Sequence, residues 1–240
     1  MMSCILVFYL LAFSAPPPAQ NDIANPDALY ARRDDVAFAQ QAAALWQVRL
    51  QKNPNDFESA WKLSRATYWI GTQAPAADRR PALEQGITAG RAATRIEPNR
   101  PEGHMWLAAN MGALAESFGL RQGLKYRGEI KNELLTVLRL DPAYEQGSAD
   151  RALGRWYYRV PGLFGGSDEK SEEYLRRSLT YNSNSTASLY FLAETLIALK
   201  RKPEAKQTLE RVLSAPVDPN WRAEDRDFKA RAKKLIETLK

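Results

Sequence analysis

His104 is the single histidine of this 240-residue chain and the first residue to consider for chemistry. A metal site or a Ser-His-Asp arrangement needs specific partners beside a histidine, and the sequence gives no local evidence for them. Its neighbours Met105, Trp106 and Leu107 are apolar, and a lone histidine in such a helix is usually a hydrogen-bonded packing residue. Zinc, redox and dinucleotide motifs are also missing from the sequence. We therefore predict no metal site, no cofactor and no catalytic residue.

A glycine-rich loop over residues 159–171 is the second candidate. Such a turn before a helix can bind phosphate through free N–H groups and the helix dipole. Asp168 and Glu169, however, would lie in the first helical turn and repel an anion. A structural connection is therefore favoured over phosphate binding: Ser167 or Asp168 caps the helix, the glycines supply unusual φ angles, and Leu163 and Phe164 enter the core. The residues predicted for this structural loop are Pro161, Gly162, Gly165, Gly166 and Ser167.

Three proline steps indicate the elements that position these residues. Asn53-Pro54, Glu97-Pro98 and Asp141-Pro142 follow one another at intervals of 44 residues. Proline removes an N–H donor and pushes the preceding residue out of the α region, so each step predicts a helix end. Amphipathic helical patterns restart after each step, which is typical of stacked helical hairpins.

Residues 188–213 carry the clearest repeat unit. This segment resembles the tetratricopeptide repeat, with small residues Ala193 and Ala205 where its two helices must approach closely. Leu153-Gly154 followed by Tyr157 repeats that arrangement one unit earlier. Because the usual repeat has about 34 residues, a 44-residue spacing predicts longer helices or loops in each hairpin.

The composition fits an ordinary folded protein, with 45% hydrophobic and 26% charged residues. Segments rich in Ala, Leu, Gln, Glu, Lys and Arg favour helices, and no useful strand-like alternation occurs. The predicted fold is all-α: a superhelical stack of degenerate tetratricopeptide-like hairpins with about ten or eleven helices.

The amino terminus differs from the rest of the chain. Residues 4–15 form twelve uncharged residues, too short for a bilayer span but typical of the apolar core of a secretory signal. We therefore expect a leader at residues 1–20, a single repeat domain at 21–240, and export, to the periplasm if the source is a Gram-negative bacterium. The alternative is an uncleaved hydrophobic tail. Cys4 lies at the start of the apolar run, where lipidation is disfavoured.

A family resemblance becomes specific at the glycine-rich loop. Residues 161–170, the following amphipathic helix and the His-x-Trp helix at residues 101–108 resemble the T-component (TatT) proteins of TRAP transporters and the regulator of microtubule dynamics proteins. The similarity covers most of residues 27–238. It implies a non-enzymatic bundle of cryptic tetratricopeptide units. In the transporter family such a bundle associates with a periplasmic substrate-binding component and offers an apolar cavity or pore.

Partner contacts are expected on the concave face, which the first helix of each hairpin lines in repeat arrays. Aromatic and arginine side chains there would suit a peptide or a partner loop. The alternative is that these aromatics pack between longer helices. The predicted contact residues are Trp61, Arg65, Tyr68, Arg151, Arg155, Tyr158, Tyr190, Glu194 and Ile197.

Charge supplies a competing hypothesis, because residues 200–240 carry twelve Lys and Arg against seven Asp and Glu. A basic region could contact anionic lipid or nucleic acid. Acidic residues interrupt it throughout and no aromatic platform accompanies it, so a solvated capping helix is favoured and no nucleic acid is expected.

The function predicted first is an exported scaffold of the transporter T-component type, which binds a transporter substrate-binding component or an apolar ligand. A general helical-repeat adaptor comes second and an enzyme third, and the oligomeric state stays open.

Overall fold

The computed structural model describes residues 25–239, which fold into eleven α-helices and contain no strand. The predicted leader at residues 1–20 lies outside this range. The helices are α1 (Pro26–Tyr30), α2 (Val36–Lys52), α3 (Phe57–Gln73), α4 (Ala76–Ile96), α5 (Pro101–Phe118), α6 (Leu120–Leu140), α7 (Tyr144–Arg159), α8 (Asp168–Tyr181), α9 (Thr186–Ala198), α10 (Lys202–Ser214) and α11 (Arg222–Glu237).

Each proline step coincides with a helix end, as predicted. Asn53, Glu97 and Asp141 are the C-terminal caps of α2, α4 and α6, and all three have left the α-helical region, with extended backbone angles at Asn53 and Asp141. The 44-residue spacing arises from long helices, since α4 and α6 each have 21 residues whereas α9 and α10 have 13. The extra length therefore lies in the helices and not in the loops.

Helices pair in chain order into antiparallel hairpins: α3 with α4, α5 with α6, α7 with α8, and α9 with α10. The first helices also contact one another in sequence, from α3 to α5, α7, α9 and α11. This pattern confirms the predicted stack of tetratricopeptide-like hairpins, with the first helices on the inner face of the superhelix.

Small residues permit the close crossings of the later hairpins. Ala193 and Ala205 are completely buried where α9 meets α10. At Gly154 of α7, an added Cβ would lie 2.5 Å from Leu175 Cγ of α8. That distance is shorter than any normal carbon–carbon contact, so this crossing requires glycine.

The glycine-rich loop is a structural connection, but its details differ from the prediction. Gly165 has φ 99°, the left-handed conformation that favours glycine. Only glycine fits at position 166, for a steric reason: a Cβ there would lie 1.6 Å from the Val160 carbonyl oxygen. Ser167 caps α8 by accepting a hydrogen bond from the Lys170 N–H at 3.2 Å.

The expectation that Leu163 packs into the core is wrong. The structure leaves Leu163 90% exposed on the 3-10 turn Gly162–Phe164, and Phe164 is half-buried beside Arg127. The Ser167 N–H donates to the Tyr157 carbonyl at 3.0 Å and so holds the loop against the end of α7, while the Gly166 N–H donates to the Pro161 carbonyl within the loop at 3.3 Å. The turn at Leu163 therefore projects into solvent.

The two ends of the described chain meet. Arg33, which follows α1, donates to both carboxylate oxygens of Glu224 in α11, at 2.9 and 2.7 Å, and to the Asn220 carbonyl at 2.7 Å. Arg226 and Asp34 form a second ion pair at 3.3 Å. Ala223 of α11 also packs against the apolar cluster formed by α1 to α4. The superhelix therefore closes on itself.

Candidate functional site

A cavity of about 990 Å³ lies inside the closed superhelix. Its walls come mainly from the first helices α3, α5, α7, α9 and α11, and α1 contributes Tyr30. Met105, Ala109, Ile130 and Leu134 form part of an apolar wall from α5 and α6. A cavity of this size lies at the upper end of the range for small-molecule sites and also accommodates a peptide side chain or loop.

Of the three residues predicted on α3, Tyr68 lines the cavity. Its ring lies 5.7 Å from that of Trp106 on α5, and burial raises the pKa of its hydroxyl. Arg65 instead stacks its guanidinium over Tyr30 and Trp61, at 4.3 and 4.8 Å from the ring centres. Arg65 and Trp61 thus support the cavity wall from behind Tyr30.

On α7, Arg151 and Arg155 both line the cavity. Arg155 bridges two helices, because it donates to Glu116 of α5 at 2.9 Å and to Glu194 of α9 at 2.6 Å. Tyr158 lies 5.4 Å from the Arg155 guanidinium but does not line the cavity. Arg151 has no carboxylate within 4.0 Å among residues 25–239.

The residues predicted on α9 are placed differently. Tyr190 is buried beneath α11, where its ring lies 5.6 Å from Phe228 and the Arg231 guanidinium lies 4.5 Å from it. Ile197 packs in the same cluster. The capping helix α11 covers Tyr190, and a partner contact at this residue stays a prediction. Glu194 forms an ion pair with the cavity residue Arg155.

Glu145 is a cavity residue that sequence reasoning missed. Glu145, Gln146 and Gly147 are consecutive residues with left-handed backbone angles, at φ 43°, 59° and 74°. Two contacts hold this turn: Gln146 accepts from Asn182 and donates to Asp218 at 3.2 Å. Burial raises the pKa of the Glu145 carboxyl to about 7, while the charges of Arg65 and Arg151 oppose that rise. The only sequence signal is Gly147 shortly after a proline step, which does not reveal the direction of a neighbouring side chain.

His104 does not line the cavity. It is buried in α5, where its Nδ1 pairs with the Glu133 carboxylate of α6 and its Nε2 lies 2.9 Å from the Pro98 carbonyl oxygen. Burial alone would lower the pKa of His104, but the bonds to Glu133 and Pro98 raise it above its ordinary value. These contacts are those of a packing histidine.

Within residues 25–239, no three His, Cys, Asp or Glu side chains cluster in a way that could hold a metal ion. No helix in this part of the chain combines the length and apolar character needed to cross a bilayer. The cavity instead combines aromatic rings, an apolar wall and charged side chains, which are groups that bind and orient a ligand.

Two family models match the chain. Residues 23–163 match the model described as Regulator of microtubule dynamics protein 1-3, and residues 106–238 match the TRAP transporter T-component. Each match spans more than half of the sequence. The chain belongs to both families. The two matches overlap over α5 to α7, the helices that form much of the cavity wall. A comparison with curated proteins gives no match.

Solved structures with the same architecture include tetratricopeptide proteins. TTC0263, a thermophilic TPR protein in Thermus thermophilus, is similar with a TM-score of 0.67 and 20% identity, over 89% of this chain and 98% of that one. MamA is similar with a TM-score of 0.51 and 14% identity, over 83% and 95% of the two chains. At these identities the similarity shows the fold alone.

Proposed function

We propose that this protein is a non-catalytic binding scaffold whose central cavity takes up an apolar ligand or a segment of a partner protein. The observation that carries the proposal is the closed ring of first helices around a cavity of about 990 Å³. Long helices give each hairpin a broad inner face, and the contact between the α1–α2 connection and α11 keeps those faces directed at one space. A preformed, largely apolar cavity lowers the entropic cost of binding.

The finer assignment is a component associated with a TRAP transporter and working outside the cytoplasm. Its support is the match of residues 106–238 to the T-component family and the signal-like apolar run at residues 4–15. The partner on this hypothesis is the substrate-binding component of the transporter. A general helical-repeat adaptor is the second candidate, favoured by the fold that the chain shares with TPR proteins.

A pair of glycine variants tests the role of the cavity. Gly112 of α5 lines the cavity and has no atom within 4 Å of an added Cβ, so Gly112→Trp should obstruct part of the cavity without a clash at its Cβ. Gly128 of α6 is equally open but faces solvent, which makes Gly128→Trp the matched control.

The measurement is native mass spectrometry of the three proteins purified from the source organism. We expect a bound ligand or partner on the parent and on Gly128→Trp, and its loss from Gly112→Trp. Equal retention by all three proteins would place binding elsewhere, and a parent with nothing bound would contradict a cavity scaffold. Co-purification of a TRAP substrate-binding component would support the transporter assignment. A different partner, lost only from Gly112→Trp, would overturn that assignment and leave the scaffold in place.

A further inference from the structure

We propose that the cavity contains an anion-binding subsite centred on Arg151, where a carboxylate or phosphate of an otherwise apolar ligand binds, with Glu145 as the competing group. This inference rests on the proposed function, because it names the chemical class of what the cavity takes up. Arg151 lies on α7, and the apolar wall of α5 and α6 lines the same space.

Arg151 differs from the other arginines of α7 and α11 that line the cavity. Arg155, Arg159 and Arg231 each have a carboxylate within 4.0 Å: Glu116 at 2.9 Å, Glu116 at 3.8 Å and Asp227 at 3.6 Å. Among residues 25–239, Arg151 makes no ion pair and no side-chain hydrogen bond by the same distance criteria. The pKa of its guanidinium is lowered by burial, and the charge that opposes this most strongly is Glu145. A desolvated cation without a partner is stabilised when an anion binds to it.

Glu145 occupies the strained part of the wall. Non-glycine residues rarely adopt left-handed backbone angles. Such a strained conformation persists only where contacts with the surrounding structure hold it in place. Here the hydrogen bonds that the Gln146 side chain makes with Asn182 and Asp218 hold the backbone in this conformation. As a result, the Glu145 carboxyl is kept in the cavity wall without an ion pair of its own within 4.0 Å among the described residues.

Four groups influence Glu145 from three helices. Arg65 of α3 and Arg151 of α7 attract its carboxylate, Glu224 of α11 repels it, and the adjacent Tyr144 hydroxyl favours its charged form. Burial outweighs the attraction, so its pKa rises to about 7. Below that pH Glu145 is mostly neutral and Arg151 is available to an external anion. Above it, the carboxylate competes for Arg151 and repels the ligand, so anion affinity falls as the pH rises.

Titration calorimetry on the full chain tests the subsite with three eight-carbon probes: octanoate, octyl phosphate and octan-1-ol. At about pH 6 we expect both anions to bind about tenfold or more tightly than the alcohol. A hydrogen bond between charged groups contributes a free energy of that size. Competition of octanoate with excess inorganic phosphate needs no variant and should weaken its binding. The relative affinities of octanoate and octyl phosphate distinguish a carboxylate ligand from a phosphate ligand.

Variants then assign the effect to residues. Arg151→Met should remove the preference for anions and retain octanol binding, whereas Arg91→Met, which alters an exposed arginine paired with Glu129 outside the cavity lining, should change little. Glu145→Gln should hold octanoate affinity constant between about pH 6 and pH 8, where the parent loses affinity. Circular dichroism checks that each variant is folded.

The outcomes separate the two proposals. If octan-1-ol binds as tightly as the anions, or if folded Arg151→Met keeps the anion preference, the subsite is wrong while the cavity scaffold stands. Failure of phosphate to compete would contradict the subsite even if Arg151→Met does not fold. If no probe binds, or if Gly112→Trp leaves the binding of every probe unchanged, the proposed function fails together with the subsite.

Discussion

At the scale of single residues, buried polar groups divide into those with partners and those without. His104 belongs to the first kind, because one ring nitrogen pairs with Glu133 of α6 and the other with the Pro98 carbonyl oxygen in the connection before α5. Its apolar neighbours allowed that role to be predicted. Glu145 and Arg151 belong to the second kind within the described residues. Arg151 could be predicted from its position on a first helix, whereas Glu145 could not, because its direction depends on a left-handed turn fixed by distant residues.

The His104–Glu133 pair predicts a specific pH dependence of stability. A folded-state pKa above the unfolded value means that the protonated histidine favours the folded state. The contribution is therefore fully present below the unfolded pKa, about 6.5, and is lost as the pH rises through the raised folded value. His104→Gln should thus cost about 1–3 kcal/mol at low pH and less at high pH.

Urea unfolding of the parent and of His104→Gln at about pH 5.5 and pH 9 measures this difference. Glu133→Gln serves as the partner control, and it should remove most of the pH dependence of the effect of His104→Gln. A cost of His104→Gln that does not change with pH would show that the pair acts through packing alone.

At the scale of elements, the proline steps made the hairpins predictable. Asn53, Glu97 and Asp141 end their helices for a local reason, the restriction that proline places on the residue before it. Local chemistry also predicted a cap at Ser167 or Asp168, and the structure has it at Ser167. It failed at Leu163, whose apolar side chain suggested burial although the tight turn at Gly165 and Gly166 projects it into solvent. The direction of a loop depends on contacts with other elements, which a local pattern does not contain.

Glycine variants test the helix crossings at this scale. Gly154→Ala would place a Cβ 2.5 Å from Leu175 Cγ, so overpacking should outweigh the gain in helix propensity and cost about 1–2 kcal/mol. Gly128→Ala, in the open interior of α6, should instead stabilise the protein by about 0.5–1 kcal/mol. Urea midpoints of the two variants provide the comparison. Shifts of the same sign would mean that α7 and α8 do not cross closely at Gly154.

At the scale of the whole molecule, the closed superhelix could not be predicted from the sequence. Repeat spacing predicts that hairpins stack, but not whether the ends meet, because that depends on the small rotation from each repeat to the next. Here Arg33 and Glu224 are 191 residues apart and still form a bidentate ion pair. The contact converts an open stack into a ring around the cavity. Arg33 is buried at this contact, where the Trp69 indole N–H also donates to its carbonyl oxygen at 2.7 Å.

Replacing Arg33 tests whether this contact keeps the ring closed. Arg33→Met leaves the largely buried Glu224 carboxylate without its partner, which typically costs about 3–5 kcal/mol when a buried pair is broken. We expect the loss to be local at first, with faster amide hydrogen exchange in residues 31–35 and in the first turns of α11, while α5 and α6 keep their protection. Arg91→Met is the matched control, because it removes an exposed bidentate pair with Glu129, and such pairs contribute little.

The double variant Arg33→Met with Glu224→Leu decides between closure and general instability. Removing both charges should recover part of the stability, because no buried carboxylate is left unpaired. If the ion pair closes the ring, exchange in residues 31–35 should stay faster than in the parent even after that recovery. Octanoate should also bind more weakly to the double variant, since Tyr30 and Glu224 belong to the cavity wall. Exchange and binding equal to those of the parent would show that apolar packing of Ala223 closes the ring without the ion pair.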